Sequence, residues 1–133
     1  MNAAKAQLEV PSTPAEQKRA VLIIDNEPLI QRLLTRVLHS EFSVTVAESV
    51  EDALEALESQ AFFAIVADFE LGHPQLNGEW VLGEARRIAP DTRRLLMSGH
   101  PMSLRAAKKR GDVHRVLQKP FARAALLKAL DPG

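Results

Sequence analysis

Four places in this sequence put chemically capable side chains at the ends of short apolar runs. Asp25, Asn26 and Glu27 follow Val-Leu-Ile-Ile, Asp68 follows Ile-Val-Ala, Ser98 follows Leu-Leu-Met, and Lys119, backed by Pro120, follows Val-Leu-Gln. Carboxylates can act as nucleophiles or hold a hard divalent cation through oxygen. An ammonium can pair with an anion, and a hydroxyl can donate a hydrogen bond to one. Singly these residues say little, because polar side chains at strand ends are usually where the chain meets water. The chemistry exists only if the fold brings them to one place.

The patterning between them supplies such a fold. Val21 to Ile24, Ser43 to Ala47, Phe63 to Ala67, Arg94 to Met97 and Val113 to Gln118 read as strands, and the first is a continuous apolar run of the kind buried on both faces of a parallel sheet. Helical patterns separate them. After Pro28, residues Leu29, Ile30, Leu33, Leu34, Val37 and Leu38 recur at three- and four-residue spacing, which predicts one apolar face packed on the sheet. Ser49 with Asp52 resembles a capping box opening a helix from Val50 to Ser59, with Ala53, Leu54, Ala56 and Leu57 inward. A loop with Gly72, Pro74 and Gly78 leads to a helix through Trp80, Val81, Leu82 and Ala85. A weaker polar helix is expected over Ser103 to Arg110, ended by Gly111, and a closing helix over Arg123 to Leu130.

Alternating strands and helices imply right-handed crossovers and a parallel sheet covered on both faces, and five units suggest a flavodoxin-like α/β fold with strand order 2-1-3-4-5. In such sheets ligands bind beyond the carboxyl ends of the strands, the ends that carry the acids, the hydroxyl and the amine. Residues 1–19, with Pro11, Ser12, Thr13 and Pro14, read as a flexible tail, and the domain spans 20–131.

Composition excludes several other functions. At 133 residues there is room for one core, and 46% hydrophobic with 26% charged residues is the balance of a globular protein. Seventeen basic residues match seventeen acidic ones, so net charge gives no reason to expect nucleic acid or anionic lipid as a partner. Without cysteine there is no disulfide framework, thiolate catalysis or thiolate metal site, and a reducing compartment, the cytoplasm, is expected. No apolar run approaches the roughly 18 residues needed to span a bilayer.

The segments Val-Leu-Ile-Ile-Asp-Asn-Glu-Pro (21–28), Ile-Val-Ala-Asp-Phe-Glu-Leu (65–71), Leu-Met-Ser-Gly (96–99) and Gln-Lys-Pro-Phe (118–121) resemble the motifs of response-regulator receiver domains in order and spacing. The resemblance covers about residues 20–130. It implies a regulatory switch of two-component phosphorelay signalling and not an enzyme with turnover. Asp68 would accept a phosphoryl group from a sensor histidine kinase or phosphotransfer protein. Lys119 and Ser98 would contact that group, and the rearranged strand 4 to strand 5 face would act on a downstream output protein. Mg²⁺ would be held by Asp25, Asp68 and the main-chain carbonyl of Glu70, in a monomer or weak homodimer.

Three departures qualify that picture. The family usually has two adjacent acids where this chain has Asp25 and Asn26, and the second is normally a metal ligand. Asn26 has a carbonyl oxygen but no charge, which predicts weaker Mg²⁺ binding through it, or none. The position three before the lysine, often aromatic, is Val116. The loop after Asp68 is long, with Gly78 ten residues on. Asn26 and Val116 motivate an alternative: a pseudo-receiver serving as a phosphorylation-independent interaction module. An Asp-x-Asp phosphatase motif after strand 1 is not present in Asp25-Asn26-Glu27. Arg105, Lys108, Lys109 and Arg110 read as a solvated face, and Trp80 as core or near-core. His39, His73, His100 and His114 show no ligand spacing, although His100 is placed to border the phosphate.

Overall fold

The computed structural model describes residues 18–101, 105 and 110–132. Its strands are β1 (Arg19–Ile24), β2 (Phe42–Ala47), β3 (Ala64–Asp68), β4 (Arg93–Ser98) and β5 (Arg115–Gln118), all parallel in the order β2-β1-β3-β4-β5. The helices among the described residues are α1 (Pro28–Leu38), α2 (Val50–Ser59), α3 (Gly78–Ile88) and α4 (Arg123–Leu130). None is long and apolar enough to cross a membrane. The flavodoxin-like topology expected from the alternation is the one observed. The expected helix over Ser103 to Arg110 falls largely outside the described residues. Gly111, its expected terminator, has φ +84°, a left-handed conformation that suits glycine.

Successive strand side chains point to opposite faces, and the core divides accordingly. Leu22, Ile24, Ile65, Ala67 and Leu96 pack under α2 and α3, against Ala53, Leu57, Val81, Leu82 and Ala85. Val21, Ile23, Val66, Leu95 and Met97 pack under α1 and α4, against Leu34, Leu38, Leu126 and Leu130. Central strands buried on both sides must be apolar at nearly every position. β2, at the edge, alternates between buried ends and more exposed middle residues.

Helix starts follow local chemistry. Ser49 Oγ accepts the Asp52 N–H at 3.0 Å, Asn77 Oδ1 accepts the Trp80 N–H at 2.9 Å, and Pro28 supplies the first turn of α1. Two packing expectations need correction. Leu29 and Leu33 are 68% and 52% exposed, because the sheet takes only the line through Leu34 and Leu38, with Ile30 and Val37 partly buried beside it. A residue one position before that line is rotated about 100° around the helix and misses the sheet. Trp80 is 38% exposed for the same reason, since Val81, Leu82 and Ala85 take the inward face of α3. Arg19 opens β1, and its guanidinium lies 4.1 Å from the Phe63 ring centroid.

Candidate functional site at the carboxyl rim of the sheet

Register decides which side chains meet. Ile24 pairs with Ala67, so Asp25 and Asp68 leave neighbouring strands side by side; Asp68 pairs with Met97, and Ser98 with Gln118, which puts Ser98 and Lys119 on the same rim. Backbone bonds carry the ladder past its end, with Phe69 N–H donating to the Met97 carbonyl at 2.8 Å and Lys119 N–H to the Ser98 carbonyl at 2.9 Å. Lys119 precedes Pro120 through a cis peptide bond. Asp68 is the last residue of β3, one position beyond the strand end expected from the sequence.

The charges converge closely. Lys119 Nζ lies 3.2 Å from Asp68 Oδ1, 3.7 Å from Asp25 Oδ2 and 4.0 Å from Glu27 Oε1. Asp25 is fully buried, and its Oδ1 accepts the Glu27 N–H at 2.8 Å. Gln31 Nε2 donates to the Asp25 carbonyl at 2.7 Å, tying the first turns of α1 to the rim. Burial pushes the carboxyl groups of Asp25 and Asp68 above the ordinary carboxylate value. The Glu27 N–H and Lys119 oppose this at Asp25, and Lys119 opposes it at Asp68. Ser98, 2% exposed, accepts the His100 N–H on Oγ at 3.0 Å, which leaves its own proton to donate.

The loop between β3 and α3 folds back on the rim. His73 Nδ1 accepts from the N–H groups of both Gln75 and Leu76 at 3.0 Å, and Gly72 turns with φ +70°. Gly78 N–H donates to the Phe69 carbonyl at 2.8 Å, and a Cβ at Gly78 would overlap the Asp68 carbonyl oxygen. The long loop therefore closes directly behind Asp68, and only glycine fits at its last turn. Glu70 and His100 reach across the opening, His100 Nε2 lying 3.5 Å from Glu70 Oε2, with both side chains exposed.

The rim suits a hard divalent cation. Oxygens of Asp25, Glu27 and Asp68 lie within 4.8 Å of one another, and Asp25 Oδ2, fully buried, has no hydrogen-bond partner. The Lys119 ammonium, 3.7 Å from that oxygen, balances its charge in part, and a divalent cation among the three carboxylates would complete the balance. The sequence reading placed Asp25, Asp68, Ser98 and Lys119 correctly at one rim, but it gave Glu27 no role. The available signal was its position immediately before Pro28, which makes it the capping residue of α1. Nothing local in the sequence marked Glu79, a buried carboxylate gripped by both Nε and an Nη of Arg110, while Arg110 itself stays exposed, as expected for it. Lys108 and Lys109 lie outside the described residues.

The family model for the response regulator receiver domain matches residues 21–131. The chain belongs to that family. Among solved structures this receiver domain is similar to the signal receiver domain of an HD domain-containing protein from Pseudomonas fluorescens Pf-5, with 28% identity, TM-score 0.77, and 85% of this chain and 91% of that chain covered. It is similar to an adenylate cyclase from Rhodopirellula baltica at 28% identity and TM-score 0.77, covering 85% and 84% of the two chains. A response regulator protein from Burkholderia pseudomallei, solved with a phosphorylated aspartic acid, a calcium ion and citrate, aligns at 25% identity and TM-score 0.77, covering 86% and 68%. No curated protein matches the chain. A receiver domain is a regulatory module of two-component signalling and not an enzyme in the ordinary sense.

Proposed function

We propose that Asp68 accepts a phosphoryl group from a protein donor, a sensor histidine kinase or phosphotransfer protein, and that Lys119 and Ser98 bind the group once it is there. The observation carrying this is the Lys119 ammonium 3.2 Å from a carboxylate at the end of a central strand. One Asp68 oxygen attacks phosphorus as the bond from phosphorus to the donor breaks, and the donor keeps that electron pair. The product is an acyl phosphate. Lys119 then pairs with one phosphoryl oxygen while the Ser98 hydroxyl donates to another. Asp25, Asp68 and the main-chain carbonyl of Glu70 are the proposed holders of Mg²⁺, which when bound offsets the repulsion between two approaching anions. The phosphorylated aspartic acid and calcium ion of the Burkholderia pseudomallei relative support both assignments.

The donor needs a footing beside Asp68. A groove of about 360 Å³ adjoins it, lined by Ile30, Leu33, Leu34, Lys119, Pro120 and Phe121, with Leu29 and Leu33 exposed on α1. Because Lys119 belongs to both the groove and the rim, a partner seated on these apolar residues presents its phosphoryl group toward Asp68. The downstream partner is an output protein or domain; relatives include an HD domain-containing protein and an adenylate cyclase. Against the phosphorylation-independent alternative stands the charge pairing of Lys119 with Asp68. Val116, one of the two departures that motivated that alternative, packs partly buried against the α2–α3 side of the core. Incubating the protein with a small phosphodonor and Mg²⁺ gives a hydroxylamine-labile phosphoryl adduct that is absent in Asp68→Asn. Equal labelling of the two proteins would refute the proposal.

A further inference from the structure

Position 26 is where the family usually places its second acid, yet the Asn26 side chain here runs along the β3–α3 loop. A Cβ built on Gly72 would come within 2.8 Å of Asn26 Nδ2, so the amide nitrogen faces that backbone. That N–H₂ arm is a donor and ligates no cation, and the amide's remaining oxygen, though able to ligate, carries no negative charge. Glu27 is placed differently. Capping α1, it brings a carboxylate oxygen within 4.8 Å of ligand oxygens from both Asp25 and Asp68. Asp25 Oδ2 points into the same space, buried and without a hydrogen-bond partner, with the Lys119 ammonium 3.7 Å away as an ion-pair partner. Lys119 Nζ already presents a positive charge to all three residues, at 3.2, 3.7 and 4.0 Å from Asp68, Asp25 and Glu27. Three carboxylates facing one ammonium leave room for two more positive charges at close range.

We infer that Glu27, and not Asn26, completes the divalent-cation site of this chain, so that the acidic charge missing at position 26 is supplied one residue later from the cap of α1. This rests on reading the rim as a phosphoacceptor site. Because Glu27 is also the more exposed of the three acids, it can swing toward an ion without disturbing the buried pair.

Calorimetric titration of the full chain with Mg²⁺ alone tests the assignment. Removing one unit charge about 4 Å from a divalent ion at a wet rim raises Kd roughly tenfold, so Glu27→Gln is expected to weaken binding by that factor. Glu27→Asp, which keeps the charge, retains most of the affinity, and Asn26→Ala changes Kd by less than about threefold. Melting curves establish that each variant is folded. The reverse order, with Asn26→Ala crippled and Glu27→Gln close to wild type, overturns the assignment. If the wild type binds Mg²⁺ and is labelled on Asp68 while Glu27→Gln titrates identically, the assignment falls and the phosphoacceptor reading stands. If the wild type neither binds Mg²⁺ nor is labelled, both fall.

Discussion

Gly78 offers the sharpest test of how the fold supports the rim. Its Cα lies so near the Asp68 carbonyl oxygen that a methyl group there would overlap it, and the Asp68 carbonyl carbon would be only 2.8 Å away. The obstacle is the backbone of Asp68, which no rotamer change can move aside. Overpacking a close-packed site costs about 1–3 kcal/mol, and a fixed obstacle places Gly78→Ala at the top of that range, about 3 kcal/mol. For a domain of this size that corresponds to a fall in Tm of roughly 10 °C. Relief of the clash must displace Asp68 or α3. Misplacing a reacting group by near 1 Å costs up to about a hundredfold in rate, so labelling by a small phosphodonor should slow by about ten- to a hundredfold. Gly83 in the same helix is the control: its Cβ would meet only Asp112 Oδ2 at 3.3 Å, the tip of a side chain that can rotate away. Gly83→Ala should therefore gain about 0.5–1 kcal/mol from helix propensity and melt above wild type. Circular dichroism melts and a labelling time course on both variants decide the matter. A Gly78→Ala protein that melts as high as Gly83→Ala and labels at the wild-type rate would refute the argument.

Other expectations follow from separate parts of the molecule. Leu33→Glu should slow transfer from the donor kinase at least tenfold, by placing a charge in the apolar groove, while labelling by a small phosphodonor is unchanged; equal loss in both assays would show that the groove is not the docking surface. Arg110→Gln leaves the buried Glu79 carboxylate without its partner, so its urea midpoint should fall further than that of Glu79→Gln; the opposite ranking would mean that the pair does not hold α3. His114 Nδ1 accepts the Arg94 N–H at 2.9 Å, and burial, reinforced by Arg94, Arg93, Arg115 and Arg86, holds its pKa below the ordinary 6.5. Above that pH the ring is neutral in folded and unfolded chains alike; as pH falls through 6.5 the unfolded chain binds protons first, and stability declines until the folded-state pKa is reached. Urea unfolding at a series of pH values should show a larger acid-side loss for wild type than for His114→Gln, and parallel curves would contradict the assignment.

The sequence alone determined the parallel α/β fold, because strands buried on both faces must be apolar almost throughout and Val21 to Ile24, Ile65 to Ala67 and Leu95 to Met97 meet that demand. It also placed Asp25, Asp68, Ser98 and Lys119 at one rim, since parallel strands end together and each of these residues stands where an apolar run stops. What it could not decide depends on rotation about a helix axis and on side-chain reach. Periodicity gave α1 one broad apolar face, but the rotation of the helix turns Leu34 and Leu38 to the sheet and leaves Leu29 and Leu33 uncovered. Glu27 enters the acidic cluster, and Asn26 lies against Gly72, because the turn from β1 into α1 aims adjacent side chains in different directions. The pairing of Glu79 with Arg110 joins residues far apart in the chain whose contact no local pattern records. Strand order and polarity are written in local hydrophobic pattern, whereas the choice of which carboxylate meets which cation is made by register, helix rotation and loop closure, which exist only once the chain has folded.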